Sequence, residues 1–309
     1  MTAVLETAGL TKRFGRRAAL RDCDLSVPAG KVVGLVGPNG AGKTTLLQLA
    51  IGLRAPSAGR IAVLGLSPWA DTVPLLARVG FVAQDRPLYP EFTAGEMLEA
   101  GRRLNPRWDA AYAAARLQRV GIGQGRRIRT LSTGQQAQVA LALALGKRPE
   151  LLLLDEPVAN LDPVARLELL EELMGAVAAD GLTVVLSANA LADVERVCDH
   201  LVILVDGRVR LAGDTEQLVG EHVLVVGPRL DPAGGPPLDG TPETTHGAVP
   251  AAAAAAEPAV IEIRHAERQT LRLVRGAPTP SGADGTVVRP ATLEEVVVGY
   301  LRTASREVS

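Results

Sequence analysis

Short apolar runs alternate with segments of helical period along most of the chain. Residues 4–10 and 22–27 alternate or run apolar around the polar turn 11–17, which predicts two short strands joined by a loop. The run 31–36 precedes a helical pattern at 46–51. Residues 61–64 and 79–83 read as further strands, the second ending at Gln84. Residues 151–154 are four leucines in a row, apolar toward both faces, as in a parallel strand covered on both sides. A helix at 164–178, strands at 183–187 and 201–205, and a helix at 191–197 between those strands complete the pattern. Strands that alternate with helices imply a mostly parallel sheet.

Two stretches depart from this alternation. From residue 85 to about 147 the pattern is helical, broken by Pro87, Pro90, Pro106 and the cluster 121–125, which predicts an inserted helical subdomain. Beyond residue 220, the stretch 228–258 is rich in Pro, Gly and Ala and reads as a linker or long loop; its alanine run 251–256 is too short for a stable isolated helix. Strands at 260–264 and 270–274 and a helix at 292–301 follow, a small α+β appendage. The expected organisation is one domain over 1–220, with its helical subdomain at 85–147, and a linker plus small α+β domain over 221–309.

Composition narrows the function classes. The 309 residues are 47% hydrophobic and 3% aromatic, enough for a large aliphatic core. Lys and Arg number 33 against 34 Asp and Glu, and no basic stripe with interleaved aromatics occurs, which argues against nucleic acid as a direct ligand. Cys23 and Cys198 form no disulfide framework or metal spacing and suit a reducing compartment; His200, His222, His246 and His265 are scattered. Residues 1–10 lack the basic-then-apolar order of a signal peptide, and the runs 139–145 and 151–154 fall short of the roughly 20 residues of a membrane helix. Any membrane role is therefore expected to come through a partner.

The chemistry concentrates in a few places. Residues 37–45 read G-P-N-G-A-G-K-T-T and match the phosphate-loop pattern at Gly37, Gly42, Lys43 and Thr44, between a strand and a helix. In such a loop Gly37, Pro38, Asn39, Gly40, Ala41, Gly42 and Thr45 fold the backbone tightly around a β-phosphate. Lys43 reaches the β- and γ-phosphates, and the Thr44 hydroxyl is placed to ligate Mg²⁺. Asp155 and Glu156 end the leucine strand: Asp155 suits Mg²⁺ held through its water shell, and Glu156 suits the orientation or deprotonation of a water. Gln84 stands at a strand end, where open parallel sheets place their ligands. Phe14 offers either a core aromatic or a flat face for a purine. Ser132, in the run L-S-T-G-Q at 131–135, is an N-cap for the helix 136–145, and the same helix start suits an anion. Asp162, in the turn before the helix 164–178, is a further cap.

Taken together, residues from about 5 to 219 resemble the ATP-binding subunit of ABC transporters. Residues 37–45 are similar to its Walker A motif, Gln84 to the Q-loop, 131–135 to the signature motif, 151–156 to Walker B and 159–162 to the D-loop; Phe14 stands where the family places an aromatic against adenine. The resemblance implies a P-loop α/β fold: a mostly parallel sheet, an inserted helical subdomain and an antiparallel β subdomain. It implies ATP and Mg²⁺ as cofactors, with Thr44, Gln84 and Asp155 toward the metal and Glu156, Gln84 and Asn189 catalytic. It also implies a dimer of cassettes in which Ser132, Gly134, Gln135 and Asp162 serve ATP bound to the facing P-loop. A separate integral membrane permease is the expected partner, nucleic acid is not, and the expected location is the cytoplasmic face of the membrane. The C-terminal appendage is similar to tails on bacterial antibiotic-resistance and drug-export cassettes. Two residues depart from the family. Thr133 replaces a signature glycine, and Asn189 takes the place of the switch histidine, a shorter side chain that donates a hydrogen bond but cannot become charged. Slow hydrolysis is therefore expected. The competing readings are a nucleotide-gated regulatory subunit that hydrolyses little, and a non-transport ABC protein acting in translation or DNA repair. The second is opposed by a single cassette with no coiled coil and no basic patch.

Overall fold

In a computed structural model, residues 3–189, 191–228, 259–265, 269–276 and 286–306 of the chain are described. Two strands of 12 residues open it, β1 (Ala3–Phe14) and β2 (Arg17–Pro28), paired antiparallel. The loop expected at 11–17 is thus strand as far as Phe14, and only Gly15 and Arg16 turn, with Gly15 at φ +57. Register shifts at Thr7/Leu10, Leu10/Lys12 and Lys12/Arg13 explain the misreading, because each bulge interrupts the two-residue alternation by which a strand is recognised. On its other edge β1 pairs with β4 (Ala58–Val63), giving the sheet order β2-β1-β4.

The second sheet has six strands. These are β3 (Val32–Val36), β5 (Val79–Val82), β6 (Leu151–Leu154), β7 (Thr183–Ala188), β8 (His200–Val205) and β9 (Arg208–Asp214), in the order β5-β6-β7-β3-β8-β9. All but β9 run parallel. Strands β3, β6 and β7 are buried along their whole length, as expected for central strands of a sheet covered on both faces. Helix α1 (Lys43–Ala50) buries Leu46, Leu47, Leu49 and Ala50 in one core with Leu5, Leu10 and Leu20 of the antiparallel sheet and Leu35 and Val202 of the parallel one. The helix that starts at the phosphate loop is therefore held by the cores of both sheets.

Between β5 and β6 lies the helical lobe: α3 (Ala94–Leu104), α4 (Ala110–Arg119) and α5 (Thr133–Gly146), preceded by the short α2 (Thr72–Leu76). Its own core contains Met97, Leu98, Leu117, Ile122 and Leu131. A capping box starts α3, with Thr93 Oγ1 accepting from Glu96 N at 3.1 Å and Glu96 Oε2 accepting from Thr93 N at 2.7 Å. The 18-residue α6 (Pro163–Asp180) has Pro163 at its first position, where the missing N–H is no loss. The short α7 (Leu191–Glu195) crosses β3 at Gly34, where an added Cβ would stand 2.2 Å from Val194 Cγ1.

The chain divides into two units, Met1–Thr215 and Glu216–Ser309. Helix α8 (Thr215–Gly220) leads into the second, an antiparallel sheet of β10 (His222–Pro228), β11 (Ala259–His265), β12 (Gln269–Arg275) and β13 (Val287–Pro290), in the order β11-β12-β10-β13. Helix α9 (Leu293–Arg306) packs on β11 and β12 and buries Leu293, Val296 and Val297. The linker expected at 228–258 lies, beyond Pro228, outside the described residues.

His222 is fully buried in this second unit. Its Nδ1 lies 2.7 Å from Leu218 O and so carries the hydrogen, which leaves Nε2 to accept from the Tyr300 hydroxyl at 3.2 Å. Burial lowers its pKa from the ordinary 6.5; the Leu218 bond and Glu221 oppose the shift, and Arg275 adds to it. A lowered folded pKa means that the unfolded chain takes up the proton first as the pH falls, so stability is intact above about 6.5 and declines below it. Hydrogen exchange of the full chain, corrected for intrinsic rates, should show weakening protection in β10 and α9 from pH 7 to pH 5. His222→Asn, which keeps a donor near Leu218 without titrating, should flatten that dependence; an equal loss in both proteins would refute it.

Candidate nucleotide site

Adjacent parallel strands end on the same edge of their sheet, and Lys43, Thr44, Gln84, Asp155, Glu156 and Asn189 all come from the segments that follow β3, β5, β6 and β7 there. The loop after β3 is the phosphate loop. It needs glycine at two points in particular: at Gly37 a Cβ would stand 2.1 Å from Leu204 O of β8, and Gly42, at φ +110, would put one 2.5 Å from Ala19 O of β2. Lys43 follows as the first residue of α1, and only 5% of it is exposed. Its Nζ donates to Gly37 O at 2.7 Å, Pro38 O at 3.2 Å and Asn189 Oδ1 at 2.7 Å, and Glu156 Oε1 stands 3.8 Å away. Burial lowers the Lys43 pKa from its usual value, and Glu156 and Asp155 act against that shift.

Thr44 Oγ1 donates to Asp155 Oδ1 at 3.1 Å, a contact that spans from the P-loop to the end of β6. The Ser187 hydroxyl of β7 donates to the same Asp155 oxygen at 2.8 Å and accepts from Glu156 N at 2.8 Å. Glu156 adopts the left-handed φ of +45, and its Oε2 accepts from Gln84 Nε2 at 3.2 Å. Left-handed backbone is uncommon for a residue with a long side chain and persists where the surroundings hold it. Here the holding group is Ser187, fully buried between the two carboxylate residues.

Lys43, Thr44, Gln84, Glu156 and Asn189 line a cleft of about 810 Å³ that also contains Phe14, Arg17, Ala19, Asn39, Gly40, Ala41, Gly42, Thr45, Ala159 and Asn160; Asp155 and Ser187 join it through their bonds to Thr44 and Glu156. Gly37 and Pro38 lie behind it and act through their carbonyls on Lys43. Phe14, 42% exposed at the end of β1, has Arg54 Cζ and Lys12 Nζ at 5.0 and 5.3 Å from its ring centre. For a divalent cation, the cleft supplies threonine hydroxyls and a few carboxylate and amide oxygens. No group of three His, Cys, Asp or Glu that could cage a metal exists among the described residues. Such a hard, sparse oxygen set suits Mg²⁺, whose remaining ligands are phosphate oxygens and water.

Four candidate residues lie away from this cleft. Ser132 and Gln135 form a capping box at the start of α5: Ser132 Oγ accepts from Gln135 N and Gln135 Oε1 from Ser132 N, both at 3.2 Å. Gly134 faces α6, where a Cβ would stand 2.6 Å from Ala165 Cβ. Asp162 caps α6, accepting from Val164 N and Ala165 N at 3.0 Å each. Sequence reasoning missed Arg17 and the hydroxyl of Ser187, and it named Asn160 only within the run 159–162. Arg17 has the one legible signal, an arginine directly after a tight turn; its Nη2 would be 3.1 Å from a Cβ at Gly40.

The ABC transporter family model matches residues 20–159. The Nod factor export ATP-binding protein I of Rhizobium johnstonii is 35% identical over 224 residues, 71% of this chain and 72% of that protein. The protein of the same name from Cupriavidus pinatubonensis is 34% identical over 232 residues, 72% of this chain and 70% of its own length. Among solved structures, an ATP-binding subunit of an ABC transporter superposes with a TM-score of 0.62 at 29% identity, over 70% of this chain and 91% of that one. A dimeric ATP-binding cassette in a post-hydrolysis state, bound to ADP and Pi, gives 0.61 at 25% identity, over 68% of this chain and 98% of its own. With the phosphate loop, the parallel sheet and the edge cluster, these likenesses show that the chain belongs to the ATP-binding subunits of ABC transporters, a family of ATPases.

Proposed function

We propose that this chain powers a separate integral membrane permease, working at the cytoplasmic face of the membrane as one of a pair of cassettes, in the direction of export. The observation that carries the reading is the convergence of Lys43, Thr44, Gln84, Asp155 and Glu156 at one sheet edge. The names of the relatives support the export direction. No helix among the described residues is long and apolar enough to cross a membrane.

In this reading Phe14 presents its exposed ring to adenine, and the backbone of 37–45 with Lys43 takes the phosphates. Thr44, Asp155 and Gln84 are the residues that would hold Mg²⁺, and the ion would supply positive charge beside the phosphate oxygens. Glu156 orients a water whose oxygen attacks the γ-phosphorus; the bond to the β–γ bridging oxygen breaks, ADP leaves, and the water's proton passes to the carboxylate. Gln84 donates to that carboxylate, and Ser187 holds the backbone N–H of the same residue. Ser132, Gly134, Gln135 and Asp162, outside the cleft, serve the nucleotide of the facing cassette. Asn189 beside the reacting phosphate supports slow hydrolysis, and with it the second reading of a nucleotide-gated regulatory subunit.

Glu156→Gln keeps the phosphate contacts and removes the base. With ATP and Mg²⁺ it should accumulate as a dimer in light scattering, while Lys43→Ala stays monomeric; a Glu156→Gln protein whose mass ignores ATP would count against the paired arrangement. Asn189→His restores a donor with full reach. A donor aimed at transferring oxygens is worth on the order of 10² to 10³ in rate, and Asn already supplies part of one, so a gain of about tenfold in single-turnover hydrolysis is expected. No gain, with the circular dichroism unchanged, would separate slow turnover from the missing histidine.

A further inference from the structure

We infer that Asn189 is the group a nucleotide displaces: its side-chain oxygen occupies the place on the Lys43 ammonium that a phosphate oxygen takes. This rests on the ATP-binding reading above. A lysine ammonium has three hydrogens to donate and accepts none. Gly37 O, Pro38 O and Asn189 Oδ1 take all three, at 2.7, 3.2 and 2.7 Å, and Glu156 at 3.8 Å is beyond hydrogen-bond reach. A phosphate oxygen must therefore replace one of them.

The three are not equally replaceable. Gly37 is wedged against Leu204 O, and Pro38 O also accepts from Ala41 N at 3.1 Å, so neither carbonyl leaves without opening the loop. Asn189 is exposed, on the segment just after β7, and reaches Lys43 only through its side chain. It is the acceptor that yields.

Exchange also reverses what Asn189 offers. Toward Lys43 it must present Oδ1, because the ammonium accepts nothing. Once released, the amide turns on its χ2 bond and presents Nδ2 to a phosphate oxygen. One side chain thus holds the cation before binding and donates to the phosphate afterwards. Asn189 is a positioning residue in the first role and contacts substrate in the second.

The two roles separate by ligand. ADP brings a β-phosphate to Lys43 but has no γ-phosphate for Nδ2, AMP reaches neither, and ATP engages both. Calorimetric titration of the full chain with each nucleotide and Mg²⁺ tests this. Loss of one competing hydrogen bond to a charged group predicts that Asn189→Ala binds ADP about three- to tenfold more tightly. ATP should gain less, because the donor is lost too, and AMP should not change. Asn189→Leu, similar in size and apolar, should reproduce the pattern, so the test survives if the alanine variant folds poorly. A merely structural role for Asn189 would shift AMP along with the others and overturn the inference. ADP affinity equal to or weaker than wild type would overturn it as well. Wild-type protein that binds none of the three would instead sink the nucleotide-binding reading itself.

Discussion

A buried ammonium cannot stand alone, and the geometry of this site follows from the need to satisfy Lys43. Taking a charge out of water is costly unless acceptors and opposite charge surround it. Lys43 has three acceptors, and the carboxylates of Asp155 and Glu156 work against the burial that lowers its pKa. Two of those acceptors are carbonyls of its own loop, so the loop must curl until they face back on the side chain. That curl sets the glycines: Gly37 because β8 leaves no room for a Cβ, Gly42 because β2 and a φ of +110 exclude one. Helix α1, gripped by the cores of both sheets, holds the other end of the lysine.

The carboxylates present a second constraint. Consecutive residues of a strand point to opposite faces, so Asp155 and Glu156 would diverge if β6 simply continued. The strand ends at Leu154, and the left-handed backbone at Glu156 redirects the chain. One hydroxyl holds the result. Ser187 donates to Asp155 and accepts from Glu156 N, so a single buried side chain from the neighbouring strand ties the Asp155 carboxylate to the backbone of Glu156.

Much of this was legible in the sequence where the signal is local. The phosphate loop, the four-leucine strand with Asp155 and Glu156 at its end, and the caps at Ser132 and Asp162 each depend on residues close together in the chain. What the sequence hides depends on tertiary neighbours. The bulges of β1 erased the alternation that would have shown a long hairpin. Strand β13 is exposed along its length and carries no core-facing pattern. The role of Ser187 exists only because β7 lies beside β6, and the contact of Lys43 with Asn189 joins residues 146 apart in the chain. Asn189 is legible as a departure from a family pattern, whereas its bond to the cation is visible only in three dimensions.

The start of α5 shows why a side chain can change there without removing the chemistry. Of the first backbone N–H groups of that helix, Gln135 N is taken by Ser132 Oγ, and Gln136 N by Ser132 O. Among the described residues, Thr133 N and Gly134 N have no hydrogen-bond partner, and they stand where a helix favours an anion. In the proposed pair of cassettes these two amides are the donors left for a phosphate of the facing nucleotide. Thr133 supplies its amide as well as a glycine would. What it adds is bulk beside that amide, so the substitution affects how closely a phosphate approaches and leaves the number of donors unchanged. Gly134 is under the stricter requirement, since Ala165 of α6 leaves no space for a Cβ. The glycine that this chain retains is the one that packing demands, and the one it has replaced is the one whose contribution is carried by the backbone.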